Sequence, residues 1–218
     1  MIPRDYLYLG RIQIANKQDS LGIGSLRKAL ALDTTQADVY AEIGKTLYGQ
    51  KKYAEAGDAY KMYTSKSRQA KLSDYFTQGL SYYLAAQSTT KPDTTLLAKA
   101  DSALTYVQNK ATTPNPTVTL YLAYVNDLKD ADRNNIKGLA KPFYEQYIQL
   151  LTAGTTAPDD KAKKNLAYAY AYLGTYYEYK EKDETKAAEN FGKARENDPT
   201  NKQAAAYFQR KGGASKGK

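Results

Sequence analysis

The feature that most constrains the fold is a pair of helical patterns within residues 37–68, separated by a short polar stretch. The first pattern places one small residue among bulky ones at spacings of three and four, which puts them on one helix face: Tyr40, Ile43, Gly44 and Leu47. The second pattern repeats that spacing with Ala56, Tyr60 and Tyr63. Residues 49–52 between them are polar and include a glycine, which predicts a turn. We therefore expect two helices packed face to face, with Ala56 opposite Gly44 so that the backbones can approach closely.

The same positions recur along the chain. Gly10 precedes Gly44 by 34 residues, and Gly22 precedes Ala56 by the same interval. This order of bulky residue, Leu-Gly-like pair, aromatic residue, Ala and aromatic residue resembles the tetratricopeptide repeat (TPR) family. The resemblance covers roughly residues 3–201. It implies an all-α fold, a right-handed α-solenoid whose first helices line a concave groove for a peptide or a partner protein.

The register predicts five TPR-like helix pairs and a C-terminal helix. The pairs are expected near residues 3–36, 37–70, 72–115, 116–153 and 167–201, and the terminal helix over 201–210. That helix is expected to cover the last pair and to leave a polar outer face, as solenoids require. Residues 1–211 would then form a single array, and residues 212–218 a disordered tail.

The front of the array has no comparable cap in the sequence, because repeat one begins within a few residues of Met1. Its outer face, around Tyr6 and Leu9, would be bare unless a neighbour covers it. One interpretation, which we favour, is that the chain is an excised part of a longer protein. The alternative is that this face binds something, including a second copy in end-to-end self-association.

The composition argues against an enzyme. Cys and His are both absent, which removes the thiolate nucleophile, the commonest general base and the commonest metal ligand. Residues 21–24 are glycine-rich but lack the Lys and Ser/Thr of a phosphate-binding loop. Residues 130–141 superficially resemble a calcium loop, yet its sixth position is Asn135 where Gly is needed, and its twelfth is Lys141 where Glu is needed. The sequence therefore predicts no catalysis, no cofactor and no metal, and a solvated connecting loop at residues 130–141.

The charge pattern leaves two classes of partner open. The formal net charge is +9, but Lys and Arg are scattered among acidic residues, which is typical of a solvated surface. A protein-interaction scaffold is the leading prediction, and a binder of an acidic polymer such as nucleic acid or an anionic glycan is the alternative. No stretch approaches the roughly 18 apolar residues that a membrane span needs. Tyr-rich, Lys-rich, Cys-free TPR chains resemble bacterial proteins, with the cell envelope slightly favoured over the cytoplasm, although no residue demonstrates export.

The candidate binding residues come from mapping the groove-facing positions of the TPR family onto this chain. They give a basic beginning and an aromatic wall: Arg11, Lys45, Tyr48, Phe76, Leu80, Tyr83, Tyr124, Tyr172 and Tyr179. The family's carboxylate clamp is not matched, since its positions hold Leu7, Arg11, Glu42, Ser73 and Thr77. We expect a ligand along the concave face across repeats two to five, so alanine at Tyr83 or Tyr172 should weaken binding and preserve helical content. The alternative is that these aromatic residues pack between neighbouring repeats.

Overall fold

The computed structural model describes residues 1–88, 91–130, 132, 136–154 and 157–214. These residues form eleven α-helices and one π-helical segment, and no β-strand occurs among them. The helices in chain order are α1 (Pro3–Ala15), α2 (Asp19–Leu32), α3 (Asp38–Gly49), α4 (Tyr53–Lys66), α5 (Leu72–Gln87), α6 (Thr94–Lys110), α7 (Pro116–Lys129), α8 (Lys141–Thr152), α9 (Asp160–Tyr176), α10 (Glu184–Asn197) and α11 (Lys202–Ala214). The π-helical segment, Tyr177–Glu181, lies between α9 and α10. The predicted all-α class is confirmed.

The chain divides into two compact units, which we describe one at a time. The N-terminal unit, Met1–Ala111, contains three helix pairs, and the C-terminal unit, Thr112–Lys218, contains two pairs and α11. A single array running through both units remains a prediction. The fifth pair begins before its expected bounds of 167–201. There α9 begins at Asp160 and not near residue 167, because the Asp159 side chain accepts a hydrogen bond from the Ala162 amide at 2.7 Å and caps the helix earlier.

Close packing of the two helices of a pair depends on a glycine of the first helix in the second and fifth pairs. A Cβ atom added to Gly44 would lie 2.9 Å from Cδ2 of Tyr60, so the Tyr60 ring occupies the space that a side chain on α3 would need. Gly174 makes the equivalent contact in the C-terminal unit, where an added Cβ would lie 2.8 Å from Cδ2 of Phe191. In these two pairs a ring of the second helix packs against the glycine of the first helix, whereas Gly10 and Gly79 meet the side chains of Leu26 and Leu104. Ala56 was expected opposite Gly44, but the side chain nearest to Gly44 is that of Tyr60.

The turns share a backbone feature that the sequence patterns did not predict. Lys17, Lys51 and Lys182 follow a first helix in three different repeats, and all three have left-handed φ angles of 61°, 61° and 57°. At Lys51 the amide donates to the carbonyl of Tyr48 at 2.9 Å, and the next amide, of Lys52, donates to the carbonyl of Leu47 at 3.0 Å. These two bonds form a Schellman motif, which satisfies carbonyls that a helix end otherwise leaves without partners.

The front of repeat one differs from the front of repeat two at equivalent positions. In repeat two the face toward α2 is apolar and buried, with Val39, Ile43, Leu47 and Ala59 exposed by 2%, 3%, 2% and 8%. The residues 34 positions earlier are Asp5, Leu9, Gln13 and Ser25. The Ser25 hydroxyl donates to Oε1 of Gln13 at 2.7 Å, so these two polar groups satisfy one another. The front of repeat one therefore lacks most of the apolar set with which repeat two contacts its neighbour.

The loop between α7 and α8 in the C-terminal unit is organised by Asp130. Its buried carboxylate accepts hydrogen bonds from the amides of Lys137 at 2.9 Å, Gly138 at 2.6 Å and Leu139 at 3.2 Å. Gly138 has φ of +83°, and its Cα lies against the ring of Tyr176 with no room for a side chain. Asp130 would hold the first position of the calcium loop that the sequence superficially resembles, but its carboxylate is bonded to backbone amides. The loop was expected to be solvated, whereas Asp130 is 3% exposed. Asn134 and Asn135 lie outside the described residues, and no cluster of three acidic side chains able to hold a metal occurs among the described ones.

The last helix covers the fifth pair. Ala204 and Tyr207 of α11 are buried at 1% and 3% exposure, and the Tyr207 ring stacks on Phe191 of α10 with centroids 4.4 Å apart. The opposite face carries Gln203, Gln209 and Arg210 and is exposed. The helix continues to Ala214, past its predicted end at residue 210, and residues 215–218 of the predicted tail lie outside the described residues. None of the described helices combines the length and the apolar character needed to cross a membrane.

Candidate functional site

The N-terminal unit contains an open cleft of about 450 Å³ between the first helices of repeats one and two. Residues from α1, from α3 and from the start of α2 line it: Arg11, Ile14, Ala15, Asp19, Glu42, Lys45, Thr46 and Gly49. Ile14 on α1 is half-buried and forms the apolar floor with the exposed Ala15. On α3, Lys45 and Gly49 are separated by four residues, so they lie on one face of the helix and both border the cleft.

An ion pair closes one side of this cleft. Arg11 and Glu42 bond through two parallel contacts, Nε to Oε2 at 3.0 Å and Nη2 to Oε1 at 2.5 Å. The hydrogen bonds that Arg11 donates to Glu42 raise the pKa of Arg11 above its ordinary value, against a smaller opposing effect of burial. The two side chains are 46% and 33% exposed, so solvent screens the pair and its contribution to stability is small. Its paired geometry joins α1 to α3 and fixes the width of the cleft on this side.

The two remaining charged residues of the cleft, Asp19 and Lys45, differ in whether a partner within the protein bonds their side chains. Asp19 lies in the first turn of α2, where the positive end of the helix dipole favours a carboxylate, and its Oδ2 accepts from Nε2 of Gln50 at 3.2 Å. Lys45 is exposed, and within the part of the chain that the structure describes its amine forms no ion pair. The acidic side chains of the cleft therefore have donors nearby, whereas Lys45 presents a donor to solvent.

The C-terminal unit gathers its tyrosines into a buried cluster around Asp127. The Tyr168 hydroxyl donates to Oδ2 of Asp127 at 2.8 Å, and Asp127 is only 3% exposed. Tyr144 is fully buried, with its ring centroid 4.8 Å from that of Tyr172 and 6.0 Å from that of Tyr168. Burial, followed by the nearby Asp127 charge, raises the pKa of Tyr144 well above its ordinary value. The rings of Tyr144 and Tyr172 fill the space between helices and present little surface to a ligand, whereas Tyr168 at the edge of the cluster is 38% exposed.

Comparison with solved structures places the fold. The C-terminal part of a TPR repeat-containing protein from Cytophaga hutchinsonii is 28% identical, with a TM-score of 0.67 over 94% of this chain and 73% of that one. The chain is built of tetratricopeptide repeats. YrrB, described as a TPR protein with an unusual peptide-binding site, is 16% identical with a TM-score of 0.58 over 94% of this chain and 90% of its own. MamA is 17% identical with the same TM-score over 90% and 92%. These two similarities show the fold alone.

Two sequence-based comparisons gave no further relatives. No family model matches the chain, and no curated protein matches it. The individual TPR repeats diverge enough that their register, set by residues such as Gly44 and Gly174, is easier to recognise than the overall sequence. The resemblance to the TPR family is nonetheless confirmed by the arrangement of the helices.

The predicted groove residues of the N-terminal unit fall into two groups. Arg11 and Lys45 both line the cleft between α1 and α3. Tyr48 is half-buried, with its ring centroid 5.3 Å from that of Tyr53, and Phe76 and Leu80 are half-buried on α5. Tyr83 is buried at 6% exposure, and its hydroxyl accepts a hydrogen bond from Nε2 of Gln87. Tyr83 therefore does not offer a surface to a ligand, contrary to expectation.

The predicted residues of the C-terminal unit do not form one exposed wall. Tyr124 is half-buried, donates to Oδ1 of Asn165 at 3.2 Å, and has its pKa raised to about 12, chiefly by burial. Tyr172 is 2% exposed and belongs to the buried cluster. Tyr179 is exposed on the π-helical segment, with the Lys182 amine 6.0 Å from its ring centroid. The structure therefore separates Tyr179 from the two tyrosines with which it was grouped.

The misplacement of Tyr172 has a simple cause. It stands two residues before Gly174, and the residue two before Gly44 in repeat two is Glu42, which points at Arg11 of the preceding first helix. Tyr172 therefore occupies a position that faces the preceding repeat, and an aromatic ring there is buried against it. Asp127 and Asp130, which organise the C-terminal unit, were missed because their partners are distant in sequence. The only signal was their place at the end of α7, a common position for acidic residues in a loop.

Proposed function

We propose that this TPR chain is a non-catalytic scaffold that binds a peptide segment of a partner protein in the cleft between α1 and α3. The observation that supports the proposal is the cleft itself, where an apolar floor, Arg11 and Lys45 meet on the first helices of neighbouring repeats. Clefts that combine apolar lining with a few placed polar groups are the usual binding sites of proteins. The half-buried Tyr48, Phe76 and Leu80 would extend this surface within the N-terminal unit. A groove that continues through the C-terminal unit remains a prediction.

Gly49 provides a direct test of this site. A Cβ atom added to Gly49 meets nothing within 4 Å, so Gly49→Leu places a side chain at the cleft wall without disturbing the helices. Gly24 on α2 is equally open to a Cβ and does not line the cleft, so Gly24→Leu is the matched control. The full chain would be immobilised and used to select from a random peptide library displayed on phage.

We expect enrichment of peptides on the unchanged chain and on Gly24→Leu, and its loss on Gly49→Leu. The amide circular dichroism of both variants is expected to match that of the unchanged chain, which establishes that the fold is intact. Enrichment that survives Gly49→Leu would move the site elsewhere. The absence of any enrichment over a blank surface would contradict the scaffold proposal.

The acidic-polymer alternative is less well supported by the surface. The arginines Arg11, Arg27 and Arg210 each pair with a glutamate of a different helix, which distributes positive charge among acids. A binder of nucleic acid or an anionic glycan would use a continuous basic stripe and lose affinity steeply as salt increases. Fluorescence polarisation with labelled single-stranded DNA and with heparin, in a salt series, tests this alternative. Tight binding with a steep salt slope would favour it over the peptide cleft.

End-to-end self-association is also less well supported. A second copy would have to contact the front of repeat one, where the exposed Asp5 and the half-buried Gln13 stand in place of Val39 and Leu47. Burying these two polar side chains against another chain carries a desolvation cost that apolar residues would not. We propose that the front of repeat one does not drive association, and sedimentation of the full chain over a concentration series checks this directly.

A further inference from the structure

The cleft between α1 and α3 also indicates what kind of peptide it would bind, provided that the proposed function is correct. Its floor is apolar and its size is modest. Ile14 and Ala15 supply the floor from α1, and Gly49 leaves the opposite wall open because it has no side chain. This geometry accommodates an apolar side chain that enters between the two helices, with its backbone held along the rim.

The charges on the rim are complementary to an acidic group. Glu42 already accepts two hydrogen bonds from Arg11, and Asp19 accepts one from Gln50 at the start of α2. Lys45 is the cleft residue whose amine forms no ion pair with any described residue. A carboxylate of the partner would therefore find a donor at Lys45. A basic residue of the partner would instead have to compete with Arg11 and Gln50 for acids that are already bonded.

The spacing of these two features matches an extended chain. Lys45 precedes Gly49 by four residues on α3, which is a rise of about 6 Å along the helix axis. In an extended peptide, residues i and i+2 point to the same side and lie about 6.6 Å apart. We propose that the cleft binds an extended segment in which an acidic side chain and a medium-sized apolar side chain are separated by one residue. The acidic side chain contacts Lys45, and the apolar one enters beside Gly49.

Synthetic peptides test the spacing and the charge separately. Fluorescein-labelled peptides of one length, with blocked ends, would carry Asp-Ser-Leu or Leu-Ser-Asp within a Gly-Ser background. Comparison peptides would place Asp and Leu next to each other, separate them by two residues, or replace Asp by Asn or Lys. Binding to the full chain is measured by fluorescence anisotropy. We expect at least one peptide with a single intervening residue to bind about tenfold more tightly than the peptides with other spacings, and the Asn version to lose about threefold.

Variants of the chain identify which residues carry the preference. Gly49→Leu is expected to weaken binding about tenfold, whereas Gly24→Leu leaves it unchanged. Lys45→Gln should remove the preference for Asp over Asn, and Lys45→Glu should reverse it toward the Lys peptide. Lys51→Gln, an exposed lysine in the following turn, is the control for general charge. A free C-terminal carboxylate is tested as a separate source by comparing an amidated Leu-Ser peptide with its free acid.

The possible outcomes separate this inference from the proposed function. Loss of peptide enrichment with Gly49→Leu would support the cleft as a peptide-binding site. If the selected and synthetic peptides then show no preference for a carboxylate at this spacing, the inference is wrong although the proposed function stands. The inference is also wrong if the Lys peptide binds better than the Asp peptide, or if only the free C-terminal acid binds. If neither the library nor the synthetic peptides bind, the proposed function fails with it.

Discussion

Repeats one and two of the N-terminal unit and repeat four of the C-terminal unit use the same repeat position for opposite purposes. In repeats one and two the residue that follows the small residue of the first helix is Arg11 or Lys45, and both reach solvent beside an open cleft. In repeat four that residue is Tyr124, which follows Ala123, and its ring packs edge-on against Tyr168 with centroids 5.7 Å apart. A long cation keeps the groove position open, whereas an aromatic ring fills it. The register of a repeat therefore identifies a position but does not decide whether it forms a surface or a core.

The largest test of this difference replaces one groove-mapped residue in each unit. Tyr172→Ala removes a ring that is 2% exposed and contacts Tyr144, so we expect the free energy of unfolding to fall by about 4 kcal/mol. Arg11→Ala removes an exposed side chain and a screened ion pair, with an expected loss of less than about 1 kcal/mol. Urea denaturation of the full chain, followed by circular dichroism, measures both. A small effect of Tyr172→Ala would mean that the tyrosine cluster is not a core.

The second test compares the helix contacts that the two units share. Gly44→Leu and Gly174→Leu each force a side chain against a ring, of Tyr60 or of Phe191, with an expected cost of about 3 kcal/mol because the interior is overpacked. Gly49→Leu, on the same helix as Gly44 but facing open space, is expected to leave the unfolding transition unchanged. Equal losses of unfolding free energy for Gly44→Leu and Gly174→Leu would show that the two contacts are packed equally tightly. A smaller loss for one variant would show that its contact is packed less tightly.

The third test concerns the acidic residues that organise loops. Asp130→Ala leaves the amides of Lys137, Gly138 and Leu139 without their acceptor, and we expect a loss of about 2 kcal/mol. Asp33 in the N-terminal unit also accepts hydrogen bonds from its loop, at Thr35, but it is only half-buried, so Asp33→Ala should cost less. Calcium added to the unchanged chain is expected to leave its melting temperature unaltered. A rise in melting temperature on calcium addition that is lost with Asp130→Ala would instead indicate a calcium site in this loop.

The sequence predicted features that depend on residues close together in the chain better than features that depend on residues far apart. The pairs could be predicted because the positions of Gly44 and Ala56 recur 34 residues earlier at Gly10 and Gly22. The contact within the pair was predicted less well, since Tyr60 and not Ala56 lies nearest to Gly44. The groove residues, which include the rings of Tyr83 and Tyr172, were assigned from the groove-facing positions of the TPR family. Whether such a ring meets solvent depends on residues of neighbouring helices, which periodicity along one helix does not reveal.

The same limit explains what was missed at the polar positions. Asp127 and Asp130 are three residues apart at the end of α7, and from the sequence both fit a solvated loop. In the structure Asp127 bonds Tyr168, which lies 41 positions further along the chain, and Asp130 bonds amides seven to nine positions away. Buried carboxylates are retained where such donors surround them. Two acidic residues in a chain whose following helix is rich in tyrosine can therefore indicate a buried hydrogen-bond network as well as a solvated loop.

The smallest expected effect concerns the turns, where the two units agree. Lys51 is exposed, and a substitution at such a surface position usually changes the free energy of unfolding by no more than about 0.5 kcal/mol. Its φ of 61° changes that expectation, because a side chain in the left-handed region costs about 1 kcal/mol or more, and glycine avoids the cost. Lys51→Gly is therefore expected to stabilise the chain by up to about 1 kcal/mol, partly offset by the greater freedom of glycine in the unfolded state. Lys51→Val should be destabilising, since a β-branched residue tolerates this conformation poorly.

The neighbouring lysine and the equivalent turn of the C-terminal unit make this prediction specific. Lys52 has an ordinary φ of −82°, so Lys52→Gly only adds unfolded-state freedom and should be neutral or slightly destabilising. Lys182 has φ of 57°, so Lys182→Gly should stabilise as Lys51→Gly does. The urea midpoints of the four variants, compared where the slope of the unfolding transition is unchanged, measure these differences in stability. If Lys51→Gly and Lys52→Gly shift the midpoint in the same direction and by the same amount, the left-handed φ of Lys51 stores no backbone strain. The stability of this turn would then depend on contacts with the surrounding helices and not on its local backbone conformation.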